Sequence, residues 1–298
     1  MPATLERYQG CLIGLACGDA VGTSVEFRHR GSFPPVTDML GGGPFGLQPG
    51  QWTDDTSMAL CLAESLLAHQ GFNAADQMNR YCNWHSVGYM SSTGECFDIG
   101  MTVARALARY RVSGDPFAGD TDPRTAGNGA LMRLAPVPMF YAGDEHATWH
   151  YARESTRTTH GAQEALDCSG LFALQLRAAL LGHAREEILA IRAPEPLNPK
   201  VHALMEGAWR AKSREEIRGS GYCVESLEAA LWCFAATSTF EQAVLEAANL
   251  GDDADTTAAI CGQLAGAFYG IEAVPAHWRA RLARAGEIDR MARQLCRV

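Results

Sequence analysis

The sequence predicts an all-α protein folded as one compact domain over residues 1–298. Three observations carry that expectation. Apolar residues recur at intervals of three and four through five long stretches, the spacing that gathers them on one face of a helix. Alternating runs of β-branched residues, which would mark half-buried strands, are absent. A chain of 298 residues that is 47% hydrophobic and 20% charged is ordinary for a globular protein and long enough to bury a sizeable core.

In chain order the periodic stretches are "TSMALCLAESLLAHQ" (56–70), "DIGMTVARALARYR" (98–111), "AQEALDCSGLFALQLRAALLGH" (162–183), "VESLEAALWCFAAT" (224–237) and "FEQAVLEAANL" (240–250). Two irregular stretches interrupt them, Arg30 to Trp52 and Ser113 to Gly129, both rich in Gly, Pro and Asp. Each carries aromatic residues or leads into a polar cluster, so they read as loops built into a site rather than as linkers. No internal repeat or low-complexity tail is visible.

A formal net charge of -9 argues against nonspecific binding to nucleic acid or to an anionic membrane surface. No apolar run reaches the eighteen or so residues a membrane span needs, and "MPATLERYQG" lacks the pattern of a secretion signal, so a cytoplasmic location is expected. The ten cysteines form no CxxC pair. Cys11, Cys61, Cys168, Cys223, Cys233 and Cys261 sit in apolar stretches, as small core residues do. His146 and His150 have the i, i+4 spacing of metal ligands but no accompanying acid, which places them on a solvated helix face.

Two acid-rich knots stand out. "GQWTDDTSMAL" sets Thr53, Asp54, Asp55 and Thr56 just before a helix, and "NLGDDADTTAAICGQLAGAFYG" sets Asp252, Asp253, Asp255 and Thr256 at the mouth of another. Helix capping accounts for an acid at such a position, because carboxylates accept hydrogen bonds from the free N–H groups of the first turn. Capping does not account for so many acids, which repel each other unless a cation neutralises them. If the two helix starts meet, their oxygens form an all-oxygen nest, a donor set that favours Mg²⁺ or Mn²⁺. Ala258, Ala259, Gly262 and Gly266 would let the second helix pack close beside a partner.

"GCLIGLACGDAVGTSVEF", "PGQWTDDTSMAL", "DIGMT", "GNGALMRLAPVP" and "NLGDDADTTAAICGQLAGAFYG" occur in the order and approximate spacing of the ADP-ribosylglycohydrolase family, which the chain resembles from Gly10 to about Gly270. The resemblance implies an orthogonal helical bundle with a dinuclear metal cleft, two Mg²⁺ or Mn²⁺ ions held by Thr53, Asp54, Asp55, Asp253, Asp255 and Thr256, and hydrolysis of the bond joining ADP-ribose to a protein side chain. Asp252 is left as a cap or as a supporting group.

The same resemblance makes Glu26 an acid near the cleft entrance that reaches a metal or its water, and Asp98 an acid beside the substrate ribose. Read as residues alone, Glu26 is a surface carboxylate and Asp98 an N-cap of the next helix. Gly127, Asn128 and Gly129 resemble a turn that contacts phosphate or ribose, His160 matches a Thr-His segment at the cleft, and Tyr222 an aromatic that stacks on adenine or packs at the core edge. After His160 this chain has Gly-Ala-Gln where relatives often have a polar residue and Pro. The implied reaction releases ADP-ribose from an arginine side chain of a modified protein, with Asp55 or Asp98 handling the proton. Other ADP-ribosyl linkages (serine, a free guanidine, a nucleic-acid end, an acetyl ester) and a noncatalytic ADP-ribose binder are the alternatives. A monomer is expected.

Overall fold

The computed structural model describes residues 4–297, so the first three residues of the N-terminal stretch lie outside it. The described residues form fourteen α-helices: α1 (Leu5–Gly22), α2 (Asp54–His69), α3 (Ala74–Val87), α4 (Met101–Ser113), α5 (Pro136–Phe140), α6 (Glu145–Arg157), α7 (Gln163–Leu180), α8 (Arg185–Leu189), α9 (Pro199–Met205), α10 (Cys223–Ala236), α11 (Phe240–Ala248), α12 (Ala254–Tyr269), α13 (Ala276–Arg281) and α14 (Ala285–Leu295). The only β pairing among them is three isolated bridges. The all-α expectation holds, and each of the five periodic stretches coincides for most of its length with one of these helices. Among the described residues, no helix is long and apolar enough to cross a membrane.

The centre of the fold is the antiparallel pair α1 and α12. Gly10 faces Gly266, Gly14 faces Gly262, Gly18 faces Ala258 and Gly22 faces Ala254, and a Cβ on any of these four α1 glycines would overlap a backbone carbonyl of α12. The glycines are needed here because two backbones approach closely, not because of an unusual φ. The expectation that the small residues of α12 admit a close neighbour is met, and that neighbour is α1. Helix α1 is missing from the periodic stretches for the same reason: its four-residue glycine repeat weakens the local helix signal, and it is buried on nearly every side.

The register of this pair carries Asp19, near the end of α1, to the start of α12. Around it lies one contiguous apolar cluster that includes Trp52, Trp84, Phe172, Phe234, Phe240 and Trp278. Cys11, Cys61, Cys168, Cys223, Cys233 and Cys261 are buried as expected, and all ten cysteines are free thiols. His146 and His150 lie exposed on α6 with their rings stacked 6.3 Å apart, also as expected. The two irregular stretches stay irregular apart from a single 3-10 turn at Pro123–Thr125. Their bridges matter, since Asp120 pairs with His160 and Gly127 with Tyr222, tying the loop before α5 to the segments before α7 and α10.

Candidate active site and metal centre

The two acid-rich knots do meet, and neither uses its acids as caps. Helix α2 begins at Asp54, so Asp54 and Asp55 lie within its first turn rather than before it. Its N-cap Thr53 makes no capping bond through its side chain, and neither does Asp253, the N-cap of α12. Asp19 does the capping of α2 from another helix. Its Oδ1 accepts from the Thr53 backbone N–H (2.9 Å) and hydroxyl (2.9 Å), and its Oδ2 accepts from the Thr56 N–H (3.0 Å) and hydroxyl (2.6 Å). With those donors satisfied, Asp54 is free to line the cleft and Asp55 to face Asp255.

The Thr53 hydroxyl also lies 3.0 Å from Asp55 Oδ2 and 3.3 Å from Asp255 Oδ2, which joins the starts of α2 and α12. Two carboxylate triads result. Oxygens of Asp19, Asp55 and Asp255 lie within 4.8 Å of one another, and so do oxygens of Glu26, Asp98 and Asp255. Asp255 belongs to both. Asp54, Asp253 and Thr256 line the same cleft outside these triads, with Asp253 Oδ2 accepting from Asn128 Nδ2 at 2.6 Å.

Three of the readings made from residues alone need correction. Glu26 is not a surface carboxylate: it is 3% exposed, beneath the loop that follows α1. Asp98 is not a cap, because Gly100 occupies the N-cap of α4 and Asp98 itself adopts φ 62°. Asp252 is not a cap either. Its carboxylate points outward to His29 (3.0 Å), and its backbone makes a reciprocal pair with the opposite loop, Phe27 N–H to Asp252 O (2.7 Å) and Asp252 N–H to Arg28 O (2.8 Å). Phe27 and Asp252 both have left-handed backbones, at φ 61° and 56°. Such conformations are costly outside glycine and tend to persist where a site needs them. Here they clip the Glu26 loop over the start of α12.

Electrostatics marks this cluster as incomplete without a cation. Burial, then repulsion from Asp98, Asp253 and Asp55, raises the Glu26 carboxyl to about 10. Asp98 rises to about 7 through burial and the charges of Asp19 and Asp253. Asp54, Asp55 and Asp255 are raised well above the usual range by burial and by each other. Asp19 is raised by burial but held to about 6 by its four hydrogen bonds. Among the described residues, no Lys, Arg or His forms an ion pair with any of these acids or with Asp253. Asp55 Oδ1 and Asp255 Oδ1 are buried without a hydrogen-bond partner. Buried oxygens normally have partners, so an all-oxygen set with two orphaned atoms fits a hard divalent cation.

The cleft above this floor has a volume of about 600 Å³ and is walled by Asn128, Gly127, Gly129, His160, Ile99, Met101 and Ser220. Gly127 and Gly129 make room for the His160 ring: a Cβ on Gly129 would lie 3.0 Å from His160 Cε1, and one on Gly127 3.3 Å from Nε2. Tyr222 stands apart from the lining. Its hydroxyl donates to Glu164 at 2.5 Å and receives Lys200 Nζ at 3.0 Å.

The sequence matches the pattern of the ADP-ribosylglycohydrolase family over residues 1–298. The chain belongs to that family. Among its relatives, the ADP-ribosylarginine hydrolase of Pseudomonas putida is 45% identical over 98% of this chain and 78% of that protein. The enzyme of the same name from Serratia proteamaculans is 42% identical over 98% and 79%. The ADP-ribosyl-[dinitrogen reductase] glycohydrolase of Rhodospirillum rubrum is 31% identical over 94% and 92%. A solved structure of an ADP-ribosylglycohydrolase-related protein complex superposes with a TM-score of 0.88 at 44% identity, covering 98% of both chains.

For this ADP-ribosylglycohydrolase the residue that sequence reasoning missed is Asp19. It lies in a stretch already singled out, "GLACGDAVG", and a lone acid in a run of small apolar residues was the available signal. A buried carboxylate in such a run requires partners. The sequence does not say that they lie 34 and 37 residues away.

Proposed function

We propose that this protein is a metal-dependent hydrolase that cleaves the N-glycosidic bond between ADP-ribose and an arginine side chain of a modified protein, reversing mono-ADP-ribosylation. The observation that carries the reading is the pair of carboxylate triads sharing Asp255 at the floor of a cleft large enough for a nucleotide. The 45% and 42% identity to ADP-ribosylarginine hydrolases supports arginine as the leaving group.

The two triads support two cation positions, one at Asp19, Asp55 and Asp255 and one at Glu26, Asp98 and Asp255. Thr53, Asp54, Asp253 and Thr256 complete the proposed ligand set, and the all-oxygen chemistry points to Mg²⁺ or Mn²⁺. Bound there, the ions would supply positive charge to orient the ribose hydroxyls and to lower the pKa of a water near the anomeric carbon.

The chain's own groups do the rest. The bond from the anomeric carbon to the guanidine nitrogen breaks with oxocarbenium character, water oxygen bonds to that carbon, and the guanidine leaves protonated. Asp98, which lines the cleft beside Glu26 and Asp255, is the first candidate to take the proton from water and return it to the leaving nitrogen, and Asp55 is the second. Asn128 steadies Asp253 and is itself anchored by donating to the Ser226 hydroxyl at 2.8 Å. Tyr222 is proposed as a stacking surface for adenine beyond the Gly127 turn. A monomer suffices, since every proposed ligand comes from one chain, and ten free thiols support a reducing, cytoplasmic setting.

The test is release of free ADP-ribose from arginine-, serine- and acetyl-linked forms, with and without a chelator. The expected result is metal-dependent release from arginine. Turnover that survives chelation would overturn the metal scheme, and tight ADP-ribose binding with no turnover on any linkage would leave a binding protein.

A further inference from the structure

His160 is 2% exposed, yet its ring edge faces the cleft between Gly127 and Gly129, and the opposite edge leads into the core. Its Nδ1 lies 2.8 Å from the Thr159 hydroxyl. That hydroxyl accepts a hydrogen bond from Arg133 Nη2 at 2.7 Å. Arg133 is 1% exposed; its guanidinium sits 4.6 Å over the Tyr81 ring and is directed also at Met58 Sδ. A guanidinium only donates, so the direction of the chain of bonds is set at its inner end. The Thr159 hydroxyl has one hydrogen to donate, and among the described residues the only other group found at that hydroxyl is His160 Nδ1. If Nδ1 carried a proton, two donors would converge on Thr159 and its own hydroxyl hydrogen would be buried without an acceptor. That costs roughly 1–3 kcal/mol.

We infer that Arg133 and Thr159 are positioning residues that lock His160 in the neutral Nε2–H tautomer, so that it presents a fixed hydrogen-bond donor to an acceptor oxygen of ADP-ribose in the cleft. Burial and the nearby Arg133 charge also push the His160 imidazolium down to about 3, so the ring stays uncharged at neutral pH. The tautomer itself is independent of the proposed reaction; the identity of the acceptor rests on that reading. A neutral donor suits a site whose floor is already crowded with carboxylates, because it recognises substrate oxygen without joining an ion pair to the acids that face the metal.

The test is nitrogen NMR of the full-length, Mg²⁺-loaded protein with labelled histidine at pH 7, the His160 signals being those lost in His160→Gln. The expected pattern is a protonated Nε2 and an unprotonated Nδ1. An Nδ1–H ring or an imidazolium at His160 of the wild-type protein overturns the inference. Thr159→Val should release the lock, seen as mixed tautomers. It should also weaken ADP-ribose binding about tenfold by calorimetry while changing kcat much less than KM, and Thr159→Ser should restore both. An unchanged spectrum and affinity in Thr159→Val would overturn the relay. Failure of the wild-type chain to release ADP-ribose from arginine, with the Nε2–H pattern intact, counts against the functional reading alone.

Discussion

Asp19 and Asp255 are both buried carboxylates in the same triad, yet the protein treats them in opposite ways. Asp19 accepts four hydrogen bonds from Thr53 and Thr56 and serves as the cap of α2. Asp255 keeps one oxygen unpartnered and faces four other acids, Glu26, Asp55, Asp253 and Asp98. One acid is part of the scaffold as well as of the site. The other is held in an unfavourable state by the scaffold, the usual condition of a group reserved for a ligand.

The most severe way to break this contrast is to disturb the helix pair that sets both acids. In Gly18→Val the new side chain would collide with the Ala258 carbonyl, next to Asp19 on one helix and near Asp255 on the other. Overpacking of this kind costs about 3 kcal/mol or more when neither backbone can yield. Urea unfolding should show that loss, and metal binding should fall with it.

The contrast is sharpest in the alanine variants of the two acids. Asp255→Ala should lower hydrolysis by on the order of 10³-fold or more, since it removes a member of both triads. It should leave the metal-free protein as stable as wild type or more so, because repulsion is relieved. Asp19→Ala should instead destabilise the metal-free protein by about 2–3 kcal/mol, leaving the buried N–H groups of Thr53 and Thr56 and the Thr56 hydroxyl without their acceptor. Equal stability effects, measured by denaturant unfolding with chelator present, would show that the two acids are not distinguished in this way.

A pH series probes the same difference with a smaller effect. The carboxyls of Asp19 (about 6) and Asp98 (about 7) are raised in the folded state above their unfolded values. Their contribution to stability is therefore fully present below the unfolded pKa and is lost as pH rises through 6 and 7. With chelator, the melting temperature should fall from about pH 4 through pH 7, and go on falling above it because Glu26, raised to about 10, has still to ionise. Saturating Mg²⁺ should flatten the slope, because the cation favours the ionised acids.

Asp252 gives the smallest expected effect. Its partner His29 is almost fully exposed, and pairs of that kind contribute little. Asp252→Ala should leave kcat/KM and metal affinity within about twofold of wild type. A large loss in a steady-state assay would give this third aspartate a role that its outward geometry does not suggest.

The amino-acid sequence by itself determined the helical class and the two acid-rich helix starts, because both are local properties. Three- and four-residue periodicity and the run of Thr and Asp before small residues can be read without knowing what lies opposite. It also placed Asn128, Gly127, Gly129 and His160 at one site through a family resemblance. Tertiary structure alone decided which groups those elements would face. Asp19 reaches Thr53 across 34 residues, Asn128 reaches Asp253 across 125, and Arg133 reaches Thr159 across 26. The glycines of α1 weaken its own helix signal, yet they bring its backbone against α12 and carry Asp19 into the cluster. Whether an acid caps a helix, staples a loop or waits for a cation depends on which donors the fold brings near it. No residue's immediate neighbours in the chain contain that information.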